Sequence, residues 1–204
     1  MEYEDVRLKF PDWKAMKPTT PFGQLPLLQL DDGPVHTQSM AMLRWVGSQP
    51  TGSKLYPEES RFIIEQAWGV VDDLRNSWTP CLTMSRMPLA YGHAPDYFNT
   101  DAGKATIQNV REYWMNERAP TLLANVEKVL AANGGDDGWL ASAAAAGPTL
   151  VDCVAVAFLR GFTRGHIDHV PTSWLSDKYP KLAAYVQRFC ALDAIKGRYT
   201  DGIH

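Results

Sequence analysis

The chain has 204 residues, a formal net charge of −3 and three cysteines. This length is sufficient for one domain or two small ones, and a weak charge without a basic patch excludes the usual signature of a nucleic-acid partner. The odd number and wide spacing of Cys81, Cys153 and Cys190 favour reduced thiols over a disulfide framework. No apolar run approaches the length of a membrane span, and the first residues do not resemble a signal peptide. We therefore predict a cytoplasmic protein without a membrane partner.

The first 49 residues predict a small α/β region. Apolar residues alternate in segment 6–10, which predicts a strand with one buried face that ends at Pro11. Asp32-Gly33 is typical of a tight turn, and it predicts a hairpin between strands near 26–30 and 34–37.

Two points of this region could bind a small anionic peptide. Ser39 opens a predicted helix over 39–48, and a helix N-terminus presents N–H groups and a positive dipole to a carboxylate. Pro26 has no N–H and is unfavourable in a central strand, so we predict a cis bond between Leu25 and Pro26. Such a kink would let the backbone of Leu25 pair with a bound peptide. Taken singly, each of these features is more often structural than functional.

Residues 50–57, with two prolines and a glycine, predict a linker, and the signals become helical from residue 58 onward. One apolar face is predicted for the next helix; it comprises Ile63, Ala67, Val70, Val71, Leu74 and Trp78. A long loop is predicted from Pro80 to Asp101. Trp78 and Met84 could line a pocket for an apolar molecule, and packing under the loop explains them about as well.

A second long helix is predicted after this loop. Pro120 predicts a kink in it, and Asn133-Gly134-Gly135 predicts its end. The sequence Thr149-Leu150-Val151-Asp152 predicts a capping box for a later helix. His166 and His169 do not have a recognised zinc spacing, so we predict surface histidines and no metal site.

The order of several motifs resembles the glutathione site of the cytosolic glutathione transferases, nearest the sigma class, with mu and pi behind. The motifs are Trp13, Lys17, Gln24-Leu25-Pro26 and Gln38-Ser39. Weaker likenesses extend the resemblance over nearly the whole chain; they are segments 3–8, 55–57, 138–152 and 179–182.

The resemblance implies a fold and a division into domains. The fold class would be a thioredoxin-like α/β domain that lacks its first β-α unit, followed by an all-helical domain. Residues 1–49 would form the glutathione-binding part, 50–57 the linker and 58–204 the helical domain.

The resemblance also implies roles. Trp13 and Lys17 would bind the glycine end of glutathione, and Gln24-Leu25-Pro26 would hold its cysteinyl backbone. Gln38 and Ser39 would hold the γ-glutamyl group. Asp72 would reach the γ-glutamyl amine across the interface of a homodimer, with Asp73 as the near alternative. Glutathione would be a co-substrate, and Trp78 and Met84 would face the apolar electrophile.

The catalytic hydroxyl of the family lies on a strand that precedes the segment resembled here, so the expected Tyr or Ser would lie upstream of Met1. Three explanations are open: a start that is set too late, a natural short form that binds without catalysis, or a substitute hydroxyl such as Tyr3. The third is the least favoured, because catalytic geometry is tightly constrained.

Three functions follow as hypotheses. The first is a glutathione transferase that conjugates the thiol to apolar electrophiles in detoxification; conjugase, isomerase and peroxidase activities remain alternatives. The second is a non-catalytic binding or structural protein of the kind that became lens crystallins. The third is an interaction module of the translation-elongation type, which the lack of an appended domain disfavours.

Overall fold

The computed structural model describes residues 2–52 and 54–197. The chain divides into two compact units, Met1–Glu58 and Glu59–His204. They are called unit 1 and unit 2 below. Unit 1 contains strands and helices, whereas the regular structure described in unit 2 is helical.

The described residues of unit 1 include two α-helices and a hairpin. Helix α1 spans Phe10–Met16 and is followed by a 3₁₀ turn at Lys17–Thr19. Strands β1 (Leu28–Gln29) and β2 (Val35–His36) pair antiparallel. Helix α2 spans Ser39–Ser48. The predicted hairpin and the predicted helix over 39–48 are both confirmed, although the strands are shorter than predicted.

The hairpin turns one residue earlier than predicted. The N–H of Gly33 donates to the carbonyl of Leu30 at 2.9 Å, so Asp31 and Asp32 take the two central positions. Asp31 has a φ of 48°, which aspartate tolerates better than most residues. A Cβ on Gly33 would lie 2.9 Å from the carbonyl oxygen of Leu30, so glycine suits this close approach.

The strand predicted for segment 6–10 is wrong. Residues 2–9 have no regular secondary structure, and Phe10 begins α1 with Pro11 in its first turn. The side chains of Val6 and Phe10 are 67% and 77% exposed. Alternation does not make a strand unless a neighbour accepts its hydrogen bonds. In the described part of the chain, strand pairing is confined to β1 and β2, while proline near a helix start favours α1.

Unit 2 contains seven α-helices within the described residues. They are α3 (Arg61–Thr83), α4 (Asp101–Tyr113), α5 (Ala119–Asn133), α6 (Leu150–Gly161), α7 (Trp174–Lys178), α8 (Pro180–Cys190) and α9 (Asp193–Lys196). A π-helical segment, Trp114–Arg118, joins α4 to α5, and Pro120 lies in the first turn of α5. A kink was predicted at Pro120, and the irregular backbone, which is the π-helical segment, lies just before that proline. The predicted end of the helix at Asn133 is confirmed.

Helix α3 differs from the prediction in its buried face and its end. Ile64 is fully buried and Ile63 is 37% exposed, so the face begins one residue later than predicted. The helix also continues through Pro80 to Thr83, and the N–H of Met84 donates to the carbonyl of Pro80 at 3.1 Å. The proline lies near the end of the helix, and buried Cys81 follows it, so packing outweighs the single hydrogen bond that proline removes.

The core of unit 2 is rich in aromatic side chains. Trp78 meets Trp114 at 4.6 Å and Phe162 at 5.1 Å between ring centroids, in edge-to-face geometry. Trp114 stacks on Phe162 at 5.5 Å and donates its indole N–H to the hydroxyl of Ser77 at 2.9 Å. These contacts join α3, the π-helical segment and α6 into one core, because aromatic pairs contribute beyond the area that they bury.

The predicted capping box at the start of α6 is confirmed. The carboxylate of Asp152 is fully buried and accepts four hydrogen bonds. The donors are the Leu140 N–H at 2.9 Å, the Thr149 N–H at 2.7 Å, the Thr149 hydroxyl at 3.0 Å and the Tyr185 hydroxyl at 2.7 Å. Burial raises the pKa of the Asp152 carboxyl, and these hydrogen bonds oppose the rise. The buried carboxylate of Asp152 thus connects the segment before α6 to helix α8 through hydrogen bonds.

Candidate functional site

The structure places seven of the predicted site residues in unit 1. Trp13 lies in α1, and Lys17 begins the 3₁₀ turn that follows it. The segment Gln24-Leu25-Pro26 precedes β1. Gln38 is the N-cap of α2, and Ser39 is its first residue.

The bond between Leu25 and Pro26 is cis, as predicted. The side chain of Leu25 is 50% exposed, and regular pairing in the hairpin begins only at Leu28. This segment is therefore an accessible stretch of backbone next to a sheet, which is the geometry that strand-like pairing with a bound peptide requires.

Gln38 has an unusual backbone conformation that the sequence did not indicate. Its φ is 72° and its ψ is 97°, a region that costs a residue other than glycine about 1–3 kcal/mol and is enriched at functional sites. Its carbonyl accepts the N–H groups of Ala41 at 2.9 Å and Met42 at 3.0 Å, which starts α2. The strained residue thus fixes where the helix begins and which way its first N–H groups point.

A side-chain contact joins the two halves of the candidate site. The amide of Gln38 donates to the side-chain oxygen of Gln24 at 3.4 Å. The start of α2 and the segment before β1 therefore lie next to each other, although they are separated by 14 residues in the sequence.

Lys17 is brought to the same segment from the other side. A Cβ on Gly23 would lie 3.4 Å from Cε of Lys17, so the stem of the lysine lies against the backbone just before Gln24. Gly23 has a φ of 62°, which glycine adopts without steric cost. The N–H of Lys17 donates to the carbonyl of Trp13, so these two residues are one helical turn apart. The stem of Lys17 therefore lies beside the backbone that leads into Gln24, and Trp13 lies one helical turn before this lysine.

The other predicted residues lie in unit 2. Asp72 forms an ion pair with Arg75 at 2.6 Å on α3, and both side chains are about one third exposed. Trp78 is 1% exposed and lies within the aromatic core. Met84 is half-buried at the end of α3.

Two of the cysteines have environments that suppress their reactivity. Burial raises the pKa of the Cys81 thiol to about 11, with a smaller opposing effect from Arg111. Burial, reinforced by the charge of Asp152, raises the pKa of Cys153 to about 11. Because the thiolate is the nucleophile, neither residue is prepared for covalent catalysis at neutral pH.

Within residues 2–52 and 54–197, no helix combines the length and the apolar character needed to cross a bilayer. In the same residues, no group of three or more His, Cys, Asp or Glu side chains is arranged to hold a metal ion.

Curated proteins match this chain either over a short segment at high sequence identity or over most of its length at lower identity. "Glutathione S-transferase 1" of Ascaris suum is 57% identical over 49 residues, which cover 24% of this chain and 23% of that protein. "Hematopoietic prostaglandin D synthase" of Gallus gallus is 27% identical over 195 residues, which cover 96% of this chain and 81% of that protein. The match thus spans about a quarter of the length of the Ascaris suum protein and about four fifths of the length of the Gallus gallus one.

The same likeness appears among solved structures. A sigma class glutathione S-transferase of Fasciola hepatica superposes with a TM-score of 0.69 and 23% identity, covering 98% of this chain and 83% of that one. At this identity the likeness establishes a shared fold.

A family model carries the assignment further. The model described as "Glutathione S-transferase, C-terminal domain" matches residues 93–199, more than half of the 204-residue chain. The helical unit 2 and the hairpin of unit 1 agree with the fold of the structural relatives. The chain therefore belongs to the family of the cytosolic glutathione S-transferases.

Proposed function

We propose that this protein is a glutathione transferase that binds glutathione in unit 1 and conjugates its thiol to apolar electrophiles. One observation carries the proposal: Gln24-Leu25-Pro26 and Gln38-Ser39 meet through the contact between the two glutamine side chains. The strained backbone at Gln38 supports a functional role for this junction. We further propose that unit 1 belongs to the thioredoxin-like domain of the family.

Each part of glutathione has a matching group in this arrangement. The γ-glutamyl carboxylate would bind at the start of α2, where Ser39 and the helix dipole favour an anion. The cysteinyl backbone would pair with Leu25. The glycine carboxylate would meet the mobile charge of Lys17 next to Trp13. The two carboxylates are thus held at opposite ends of the site, and the thiol lies between them.

Catalysis requires that the glutathione sulfur be present as a thiolate. Lowering a thiol pKa from about 8.5 towards 7 raises the nucleophilic fraction at neutral pH. Tyr3, the substitute hydroxyl considered from the sequence, is 65% exposed in a segment without regular structure. The residues named above would therefore bind glutathione, and none of them is proposed to activate its sulfur.

We propose a cytoplasmic homodimer as the working form, with sigma-class character. In this assembly Asp72 of one copy would contact the γ-glutamyl ammonium group held by the other. Its present pairing with Arg75 would then be exchanged, at least in part, for the ligand. The exchange costs little free energy, because an ion pair at such exposure contributes little to stability.

Retention on immobilised glutathione, together with conjugation to a chromogenic electrophile, tests the proposal. We expect wild-type retention and its loss in the double variant Gln38→Ala, Ser39→Ala. Ser48→Ala, at the other end of α2, is the matched control and should be retained. Retention that is the same in all three proteins would refute the site, and retention without conjugation would refute the transferase activity of this chain.

A further inference from the structure

The end of α5 carries a residue pair that is prone to spontaneous deamidation. Of the asparagines in the chain, Asn133 alone is followed by glycine. Asparagine is among the thermolabile residues. Glycine has no Cβ, so the backbone nitrogen of Gly134 is unhindered, and an unrestrained chain can turn it towards the asparagine side chain. Asn133-Gly134 is therefore a candidate for a covalent change, in addition to the helix end that it forms.

Deamidation makes specific demands on this pair. The backbone nitrogen of Gly134 gives up its proton to solvent and attacks the side-chain carbonyl carbon of Asn133. A carbon–nitrogen bond forms, the bond to Nδ2 breaks and ammonia leaves, which gives a cyclic imide. Water then opens the imide at either carbonyl and leaves aspartate or isoaspartate. The reaction therefore needs only water, but both nitrogens must be free to move.

Hydrogen bonds hold both nitrogens in the folded chain. The N–H of Gly134 donates to the carbonyl of Leu130 at 2.8 Å, which closes the last turn of α5. Nδ2 of Asn133 donates to the carbonyl of Leu140 at 2.8 Å. Leu140 is fully buried, and its own N–H donates to Asp152 at 2.9 Å. The amide of Asn133 is therefore fixed to the segment that the capping box of α6 holds in place.

The packing of this segment also requires the glycine. A Cβ at position 134 would overlap the backbone nitrogen and oxygen of Trp139. Arg188 of α8 secures the same turn, because its guanidinium donates to the carbonyls of Asp136 and Gly138. The guanidinium also lies 5.3 Å from the centroid of the Trp139 ring. The close approach that demands glycine after Asn133 thus also keeps the pair from reacting.

We propose that Asn133 is a latent deamidation site, which reacts when segment 134–149 opens away from α5 and α8. Opening releases both nitrogens, whereas the closed segment holds them. The product does not restore the closed state, because a carboxylate at position 133 has no hydrogen to donate to the carbonyl of Leu140. It also places a negative charge at a helix C-terminus, where the dipole disfavours it. Deamidation therefore turns a transient opening of unit 2 into a permanent one.

Timed incubation of the full chain at mildly alkaline pH, followed by peptide mass spectrometry, tests the proposal. We expect Asn133 to convert at least about tenfold more slowly in the native chain than in guanidinium chloride, because local opening must come first. Asn125 is the internal reference in the same digests. The side chain of Val126 follows it, so Asn125 should convert later than Asn133 in the unfolded chain.

Arg188→Ala loosens the segment without changing the reactive pair, so it should speed the native conversion of Asn133. Arg86→Ala makes the same change at an exposed arginine after α3 and should leave the wild-type rate unchanged. If Arg188→Ala lacks the wild-type circular dichroism, Asn133→Asp gives the second test. It reproduces the product and should lower the urea midpoint, whereas Asn109→Asp, at an exposed position of α4, should not.

Three results would overturn the proposal. The first is equal conversion of Asn133 in the native and the unfolded chain. The second is equal native conversion in a folded Arg188→Ala variant and the wild type. The third is a urea midpoint of Asn133→Asp that equals the wild-type value, because the carboxylate would then be compatible with the closed segment.

Discussion

The two units differ in how their side chains are buried. Every buried hydrophobic residue of the described chain lies in unit 2, from Ile64 to Phe189. In the described part of unit 1 the buried positions are Gly47 and Gly52, and both are glycines. Unit 2 is therefore stabilised by a core, whereas unit 1 keeps accessible backbone and apolar side chains that a ligand can contact.

This difference agrees with the placement of seven of the candidate binding residues in unit 1. A binding site needs groups that remain available to a ligand, and a two-stranded hairpin is marginally stable by itself. Regions of low local stability commonly carry binding functions. Unit 2 contributes a stable helical body, in which polar groups such as Asp152 are committed to internal hydrogen bonds.

The largest expected effect comes from breaking the buried network of unit 2. Asp152→Ala would leave the N–H groups of Leu140 and Thr149 and the hydroxyl of Tyr185 without their acceptor. Each unsatisfied buried donor costs about 1–3 kcal/mol, so we expect a loss of about 3–5 kcal/mol in the free energy of unfolding. Urea denaturation followed by circular dichroism measures it.

Asp193→Ala provides the matched control for this experiment. Asp193 is an exposed aspartate at the start of α9 that pairs with Lys196, so its urea midpoint should equal that of the wild type. A midpoint for Asp152→Ala that also equals the wild-type value would show that the network does not stabilise unit 2.

Equal leucine truncations in the two units sharpen the comparison. Leu74 is 1% exposed in α3, whereas Leu25 is 50% exposed before β1. We expect Leu74→Ala to lower the free energy of unfolding by about 2–4 kcal/mol and Leu25→Ala by less than about 1 kcal/mol. Parallel urea titrations measure both, and similar losses would contradict the difference in burial.

A smaller effect is expected from alkaline pH, and it should be confined to unit 2. Burial raises the pKa of Cys153 from its usual 9.0 to about 11, and burial together with Asp152 raises the pKa of Tyr185. A group whose pKa is raised by folding adds stability that is complete below its unfolded pKa and is lost as the pH rises through its folded pKa. The urea midpoint should therefore fall between about pH 9 and pH 11. A constant midpoint would contradict this assignment, and Cys153→Ser should make the fall shallower.

Local structure could be predicted from the sequence wherever a short motif determines its own geometry. Thr149 and Asp152 predicted their capping box, Asn133-Gly134-Gly135 predicted a helix end, and the Leu25-Pro26 bond and the start of α2 at Ser39 were also predicted. In each case the determining contacts lie within a few residues of the motif. The resemblance then assembled the binding residues into one site.

Secondary structure could not be predicted from the sequence wherever contacts between distant parts of the chain determine it. Segment 6–10 has the alternation of a strand but no described strand beside it, and the register of α3 depends on which isoleucine meets the core. Pro80 was interpreted as a helix end, although the buried residues around it continue α3. The positive φ of Gln38 is also invisible in the sequence, because glutamine rarely adopts it.

Isothermal titration calorimetry with reduced glutathione tests most directly whether unit 1 binds this ligand. We predict one site per chain in the wild type. Ser39→Ala should weaken binding about tenfold, the equivalent of about 1.4 kcal/mol, because it removes a donor at the γ-glutamyl carboxylate. Ser48→Ala should leave the affinity unchanged. No heat of binding in the wild type, or equal affinity in Ser39→Ala and wild type, would contradict the account.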